Sequence, residues 1–229
     1  MSPWLQAAFA IAAKDLRIEW RAREIVYAMA FFAALIVVLL AFAFTREGAS
    51  DGNAVAGVLW IAISLSGTLG LSRSLDRERE GNTLRALLLA PTPRSAIFIG
   101  KLLGVTLFIL LAEVVAAPLA ALFFQSSLLF SNPLPLVLLL LLGTVGYAAV
   151  GSLFATMLVR SRAREVLLGI LLYPVVIPVL LGGTRGTQAI LMLPPDLATA
   201  WFWARLLLLF DIVFITLSLW VYEPLVAVD

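Results

Sequence analysis

LDREREGNTLRALLLAPTPRSAIFIGK, residues 75–101, is the one long stretch of this chain in which charge is dense, and it lies between two runs of nearly pure hydrocarbon side chain. It reads as a helix of alternating acid and base (Asp76, Arg77, Glu78, Arg79, Glu80), a break at Gly81, then a short helix ended by Pro91 and Pro93. Glycine tolerates backbone angles that other residues avoid, and proline cannot continue a helix. After the break, Asn82 or Thr83 can cap a helix whose Leu84, Leu87 and Leu88 share one face at i, i+3, i+4 spacing. A helix that merely adhered to lipid would favour basic residues without interleaved acids. The Arg/Glu mixture points instead to a helix that docks into a groove of a partner on the aqueous side.

The flanking runs decide the class. With 62% hydrophobic and only 13% charged residues among 229, and a mean hydropathy of +1.06, the chain departs far from a soluble domain, which is about 45–50% apolar and about 25% charged. The runs are long and lack period-2 alternation, so helices are expected and a barrel is not. There is no cysteine and no histidine, which removes disulfides, thiol redox chemistry and imidazole as acid, base or ligand. Met192 and the tyrosines are the conceivable axial ligands for a haem, and no pattern supports them. No cleavable signal peptide is expected, because the N-terminal apolar stretch precedes its basic residues.

Residues 1–24 are too short and too charged to span. Trp4, Leu5, Ala8, Phe9, Ala12, Leu16 and Trp20 recur at helical spacing, with Lys14, Arg17, Arg21 and Arg23 gathered toward the end. That is an interfacial elbow helix resting on membrane lipid. Residues 25–229 then read as a six-helix transmembrane domain with spans at about 25–44, 54–71, 96–124, 134–158, 166–183 and 206–226, each near the roughly 20 apolar residues a bilayer needs. Pro174 and Pro178 predict a kink in the fifth span. Residues 75–95 form the coupling segment. Residues 184–204, cut by Pro194 and Pro195, predict two short broken helices on the outer side.

Arginine and lysine concentrate in the N-terminal segment, the 75–101 stretch and the 159–165 loop, against Arg46, Arg185 and Arg205 on the other side. By the positive-inside rule both termini and the coupling segment are cytoplasmic. Lys101 stands near a helix end and can snorkel. Glu113, near mid-membrane, and Asp211, about 9 Å inside the sixth span at the usual helical rise, are candidate pathway or interior polar residues, since an ionised carboxylate at the centre costs at least about 2.5 kcal/mol. Small residues at 64–70 and 143–155 predict close helix packing. Trp201, Phe202 and Trp203 predict an interface belt. No phosphate loop exists; GGTRGT at 182–187 lacks the lysine, so nothing here hydrolyses a nucleotide.

This arrangement resembles the ABC-2-type permease architecture. RERE-GNTLRALLLAPTPRSAIFIGK is similar to that superfamily's E-G-T-L-x-x-L-L-x-x-P…K pattern, with Asn82 intervening between Gly81 and Thr83. Within the superfamily, GVLWIAISLSGTLGLSRSL (57–75), LRALLLAP (84–91) and YPVVIPVLLGG (173–183) resemble the cytochrome c maturation permeases of the CcmB (haem exporter protein B) family over nearly the whole chain. The resemblance implies a homodimeric permease in a bacterial inner membrane, bound to a cytoplasmic ATPase, CcmA, and associated with CcmC and CcmD. It implies haem as the cargo of the complex, ATP used only through the partner, and no cofactor, metal or nucleic acid bound by this chain. The ATPase contact would comprise Arg77, Glu78, Glu80, Gly81, Thr83, Leu84, Leu87, Leu88 and Pro91. Three alternatives stay open: an ABC-2 exporter of lipid, glycan or drug; a membrane scaffold that transports nothing; and a proton-coupled carrier using Glu113.

Overall fold

The computed structural model describes residues 3–44, 52–80, 92–159, 161 and 163–227. Among them are seven α-helices: α1 (Pro3–Ala22), α2 (Glu24–Phe44), α3 (Gly52–Glu80), α4 (Arg94–Phe123), α5 (Pro133–Leu158), α6 (Arg164–Leu191) and α7 (Leu197–Ala227), with a short 3-10 turn at Ser127–Phe130 before α5. Six of these, α2 to α7, are long and apolar enough to cross a membrane. The chain is an all-helical multi-pass membrane protein, as the hydrocarbon runs predict.

The helices alternate in direction, so one end of the bundle collects α1, the end of α3 and the starts of α4 and α6. We call it the arginine-rich end. α1 packs along α4, close enough that a Cβ on Gly100 would lie 2.8 Å from the Ala8 carbonyl oxygen. α1 and α2 are separate helices because Arg23 turns the chain with φ 57°. The amide donors that open α2 are met from behind: the buried Glu19 carboxylate accepts from the amides of Ile25 (2.7 Å) and Val26 (2.9 Å). A negative group at a helix N-terminus satisfies donors that the helix itself leaves free.

α5 is the central helix. From Gly143 to Leu158 nearly every residue is buried, against α4, α6, α7 and, more lightly, α3. By contrast α7 turns a broad apolar face outward, with Trp220 at 78% and Leu209 at 62% exposure, as a lipid-facing helix requires.

Two expectations are corrected. Residues 184–204 do not form a pair of short broken helices. α6 continues through GGTRGT to Leu191, and α7 starts at Leu197 after a single break. The glycines act here as contact points, not as breakers: Gly183 faces Trp60, Gly186 faces Leu139, and Gly182 faces Leu207. Close packing offsets the roughly 1 kcal/mol that glycine costs inside a helix. The break is left to Pro194–Pro195, and Asp196 caps α7, its carboxylate accepting from the Thr199 amide at 3.0 Å and the Thr199 hydroxyl at 2.6 Å. Those bonds hold the Asp196 carboxyl below its ordinary value of 3.8. The second correction follows from the first. Asp211 lies fourteen residues into α7, about 21 Å from its start at the usual rise, so it sits at mid-helix.

Candidate functional site

The proposed contact helix itself, including Gly81, Thr83, Leu84, Leu87, Leu88 and Pro91, lies outside the described residues. Arg77, Glu78 and Glu80 belong to the last turns of α3, and their side chains lie outside the description too. What the structure presents is how the two roots of that segment are held. At the α3 root, Asp76 forms an ion pair with Arg164 at the start of α6. At the α4 root, Arg94 donates to the Glu223 carbonyl near the end of α7 (3.3 Å), and the Trp4 indole of α1 donates to the Ser95 hydroxyl (2.9 Å). Both roots are therefore tied into a collar that includes α1, α6 and α7. A partly exposed ion pair contributes only about 0–1 kcal/mol, so the collar matters for register more than for stability.

Beneath the collar, Lys101 is buried at 8% exposure instead of reaching open solvent. It lines a small cleft whose polar groups come from Asp15 of α1, Ser74 of α3, and Ser152 and Thr156 of α5, with Leu71, Val105 and Phe108 completing the wall.

The two acids inside the bundle lie on different sides of α5. Glu113 of α4 is buried and accepts a hydrogen bond from Thr144. Asp211 of α7 is equally buried, yet neither of its oxygens has a hydrogen-bond partner among the described residues. It faces Gly146, where a Cβ would lie 2.5 Å from its Oδ1. Thr144 and Gly146 are two residues apart, roughly 200° around the helix. The structure therefore does not bring the two acids together into one site.

Sequence reasoning missed two constellations. The Trp60 indole of α3 occupies a slot made by Gly143 of α5 and Gly183 of α6, and donates to Thr187 at 3.0 Å. Lower down, Thr68 of α3 meets Tyr147 of α5 (2.6 Å) and Tyr173 of α6 (2.9 Å), while Tyr147 donates to the Ser64 carbonyl (2.7 Å). Each hydroxyl carries one proton. Thr68 Oγ1 also lies 2.9 Å from the Ser64 carbonyl, so three hydroxyl protons serve four contacts, and Thr68 can donate either to Ser64 or to Tyr147 while Tyr173 donates to it. The glycine pairs were the available signal for the slot; nothing local announced the tyrosine–threonine hub. The hub also bears on haem ligation, since two of the conceivable tyrosine ligands are occupied there, while Met192 stands 52% exposed.

A six-span helical bundle with an N-terminal helix laid along it, and a charged segment rooted between its second and third spans, defines a polytopic permease-type membrane protein. Residues 6–226 match the family described as CcmB protein, and the chain belongs to that family. Similar curated proteins carry the name heme exporter protein B. That of Pseudomonas aeruginosa is 30% identical over 78% of this chain and 79% of its own length, that of Paracoccus denitrificans 30% over 78% and 81%, and that of Bradyrhizobium diazoefficiens 26% over 83% and 85%. The segments that carried the resemblance at 57–75 and 173–183 meet in space. They supply Trp60, Thr68, Tyr173 and Gly183 to the two buried constellations.

Proposed function

We propose that this chain is the membrane component of an ABC-type complex for haem export in cytochrome c maturation. It would couple ATP hydrolysis by a cytoplasmic ATPase, CcmA, to haem delivery or release of the haem-loaded chaperone on the far side. The observation that carries the reading is the match to the CcmB family over residues 6–226, together with relatives named heme exporter protein B. In this reading the chain is not itself an enzyme; it works as a homodimer with CcmC and CcmD in a bacterial inner membrane. The arginine-rich end and both termini face the cytoplasm, by the positive-inside rule.

The collar supports this assignment mechanically. A contact helix at 81–91 has its α3 root joined to α6 through Asp76–Arg164, and its α4 root joined to α1 and α7 through Ser95 and Arg94. Displacement of that helix by a partner would reach five helices at once: α3 and α4 directly, and α1, α6 and α7 through the collar. Leu84, Leu87 and Leu88 supply the apolar docking face, and Arg77, Glu78 and Glu80 the flanking charges.

Leu87→Asp tests the reading. The ATPase is expected to leave the membrane fraction in a mild-detergent pull-down while the permease stays folded and inserted. Retention of a fully active ATPase on the mutant would sink the assignment of the docking helix. Mass spectrometry of the same pull-down should find a haem-handling protein beside the ATPase; recovery of an ATPase with none would favour another cargo.

A further inference from the structure

The inward stripe of α7 carries two buried polar groups without a hydrogen-bond partner among the described residues: the Asp211 carboxylate, through both its oxygens, and the Ser218 hydroxyl. They are seven residues apart on α7, two turns and about 10 Å along the axis. They share the inward stripe that also carries Ala204 and Leu207. Asp211 is 3% and Ser218 0% exposed. Gly146 opens the space for the carboxyl, and Val179 and Phe210 stand beside that same point. The neighbourhood accommodates the group in shape and offers it no donor.

A carboxyl kept for structure normally shares its hydrogen bond with a hydroxyl or backbone group, as Glu113 does with Thr144. On the helices packed against α7, the titratable groups within the span are committed elsewhere: Glu113 to Thr144, and Tyr147 and Tyr173 to Thr68. The cations Arg94, Lys101, Arg164 and Arg185 stand nearer the helix ends, and Arg205 of α7 itself is exposed. An ionised carboxylate here would meet neither a donor nor a cation, the arrangement that a low-dielectric interior penalises most. The acid form removes the charge, and the ligand that produces it is a proton.

We propose that Asp211 is a proton-binding site in the transmembrane domain, exchanging its proton with the arginine-rich end along the inward stripe of α7 by way of Ser218. The direction follows from the stripe, since Ser218 lies between Asp211 and the end where Arg94 meets Glu223. A hydroxyl both donates and accepts, so Ser218 can pass a proton on, with water bridging the roughly 10 Å that separates it from Asp211.

Infrared difference spectroscopy on the full chain in lipid bilayers tests this independently of any transport activity. Wild type minus Asp211→Asn should show the C=O stretch of an undissociated carboxyl, which shifts in D2O and falls as the pH is raised. Ser218→Ala should slow the D2O shift severalfold. A hydrophobic carbodiimide, which reacts with undissociated carboxyls, should mark Asp211 in peptide mapping of the native chain; a water-soluble one should not. That measurement stands even where Asp211→Asn fails to insert. The absence of both the band and the adduct would overturn the site. A band that never shifts in D2O, or exchange unchanged by Ser218→Ala, would overturn the exchange path.

Discussion

The two sides of α5 solve the problem of polarity in a bilayer differently. Toward α3, α4 and α6, the polar groups within the span are paired: Trp60 with Thr187, Thr68 with two tyrosines, and Glu113 with Thr144; Ser152, at the cleft near the arginine-rich end, is the exception among the described residues. Toward α7, Asp211 and Ser218 are equally buried and have none among the described residues. The first side is a closed seam, in which hydrogen bonds fix how three or four helices register. The second is held by shape alone, through Gly146 and the apolar stripe of α7. Interhelical hydrogen bonds in membranes are individually modest, averaging about 0.6 kcal/mol. The contrast therefore lies less in total stability than in which seam can change its polar partners without breaking native bonds.

Substitutions can break or sharpen that contrast. The largest effect is expected at the closed seam. Trp60→Ala leaves an indole-sized void between two glycines and should cost about 3–5 kcal/mol, read as lost thermal stability in detergent. A loss below about 1 kcal/mol, the size of a conservative swap, would show that the slot is loosely packed.

Next is Gly146→Ala, which sets a methyl against Asp211 and should cost about 1–3 kcal/mol. Adding Asp211→Ala should recover most of it, because the clash is with the carboxyl. Absence of that coupling in a double-mutant cycle would mean that Phe210 or Val179 carries the contact instead.

The smallest pair is the most discriminating. Thr144→Val takes the donor from buried Glu113 and should cost about 1 kcal/mol. Ser218→Ala removes a hydroxyl with no described partner and should stay within about 0.5 kcal/mol. Equal losses at the two positions would erase the distinction between the seams.

Much of the architecture was legible from hydrocarbon runs alone. The six spans, the separate N-terminal helix and the termini of α5 follow from length and composition, because a bilayer leaves the backbone few options. The reading failed at residues 184–204, where a fifth span ending at residue 183 and a cut at Pro194 and Pro195 predict two short helices; α6 instead runs on through Gly182, Gly183 and Gly186. In a soluble helix they would weaken the structure. Here they admit Leu207, Trp60 and Leu139 from neighbouring helices, information that resides in those other segments. The same holds for the acids: Glu113 and Asp211 were conspicuous as charges in apolar runs, but only Thr144 on one side and Gly146 on the other distinguish them. Lys101 looked free to snorkel because its position along α4 was visible and the α1 helix covering it was not. The docking face of Leu84, Leu87 and Leu88 remains a reading of spacing and family likeness.

Glu19 carries a consequence for how the protein is made. Its carboxylate caps amides only six and seven residues further along the chain, so the bond can close as soon as the start of α2 has emerged from the ribosome. Before then, α1 is an amphipathic segment free to choose its tilt. Afterward its angle to the first span is set, before α4, the helix against which it finally packs, has been synthesised. The elbow is therefore assembled in order, and an early error at Glu19 would be inherited by every helix that follows.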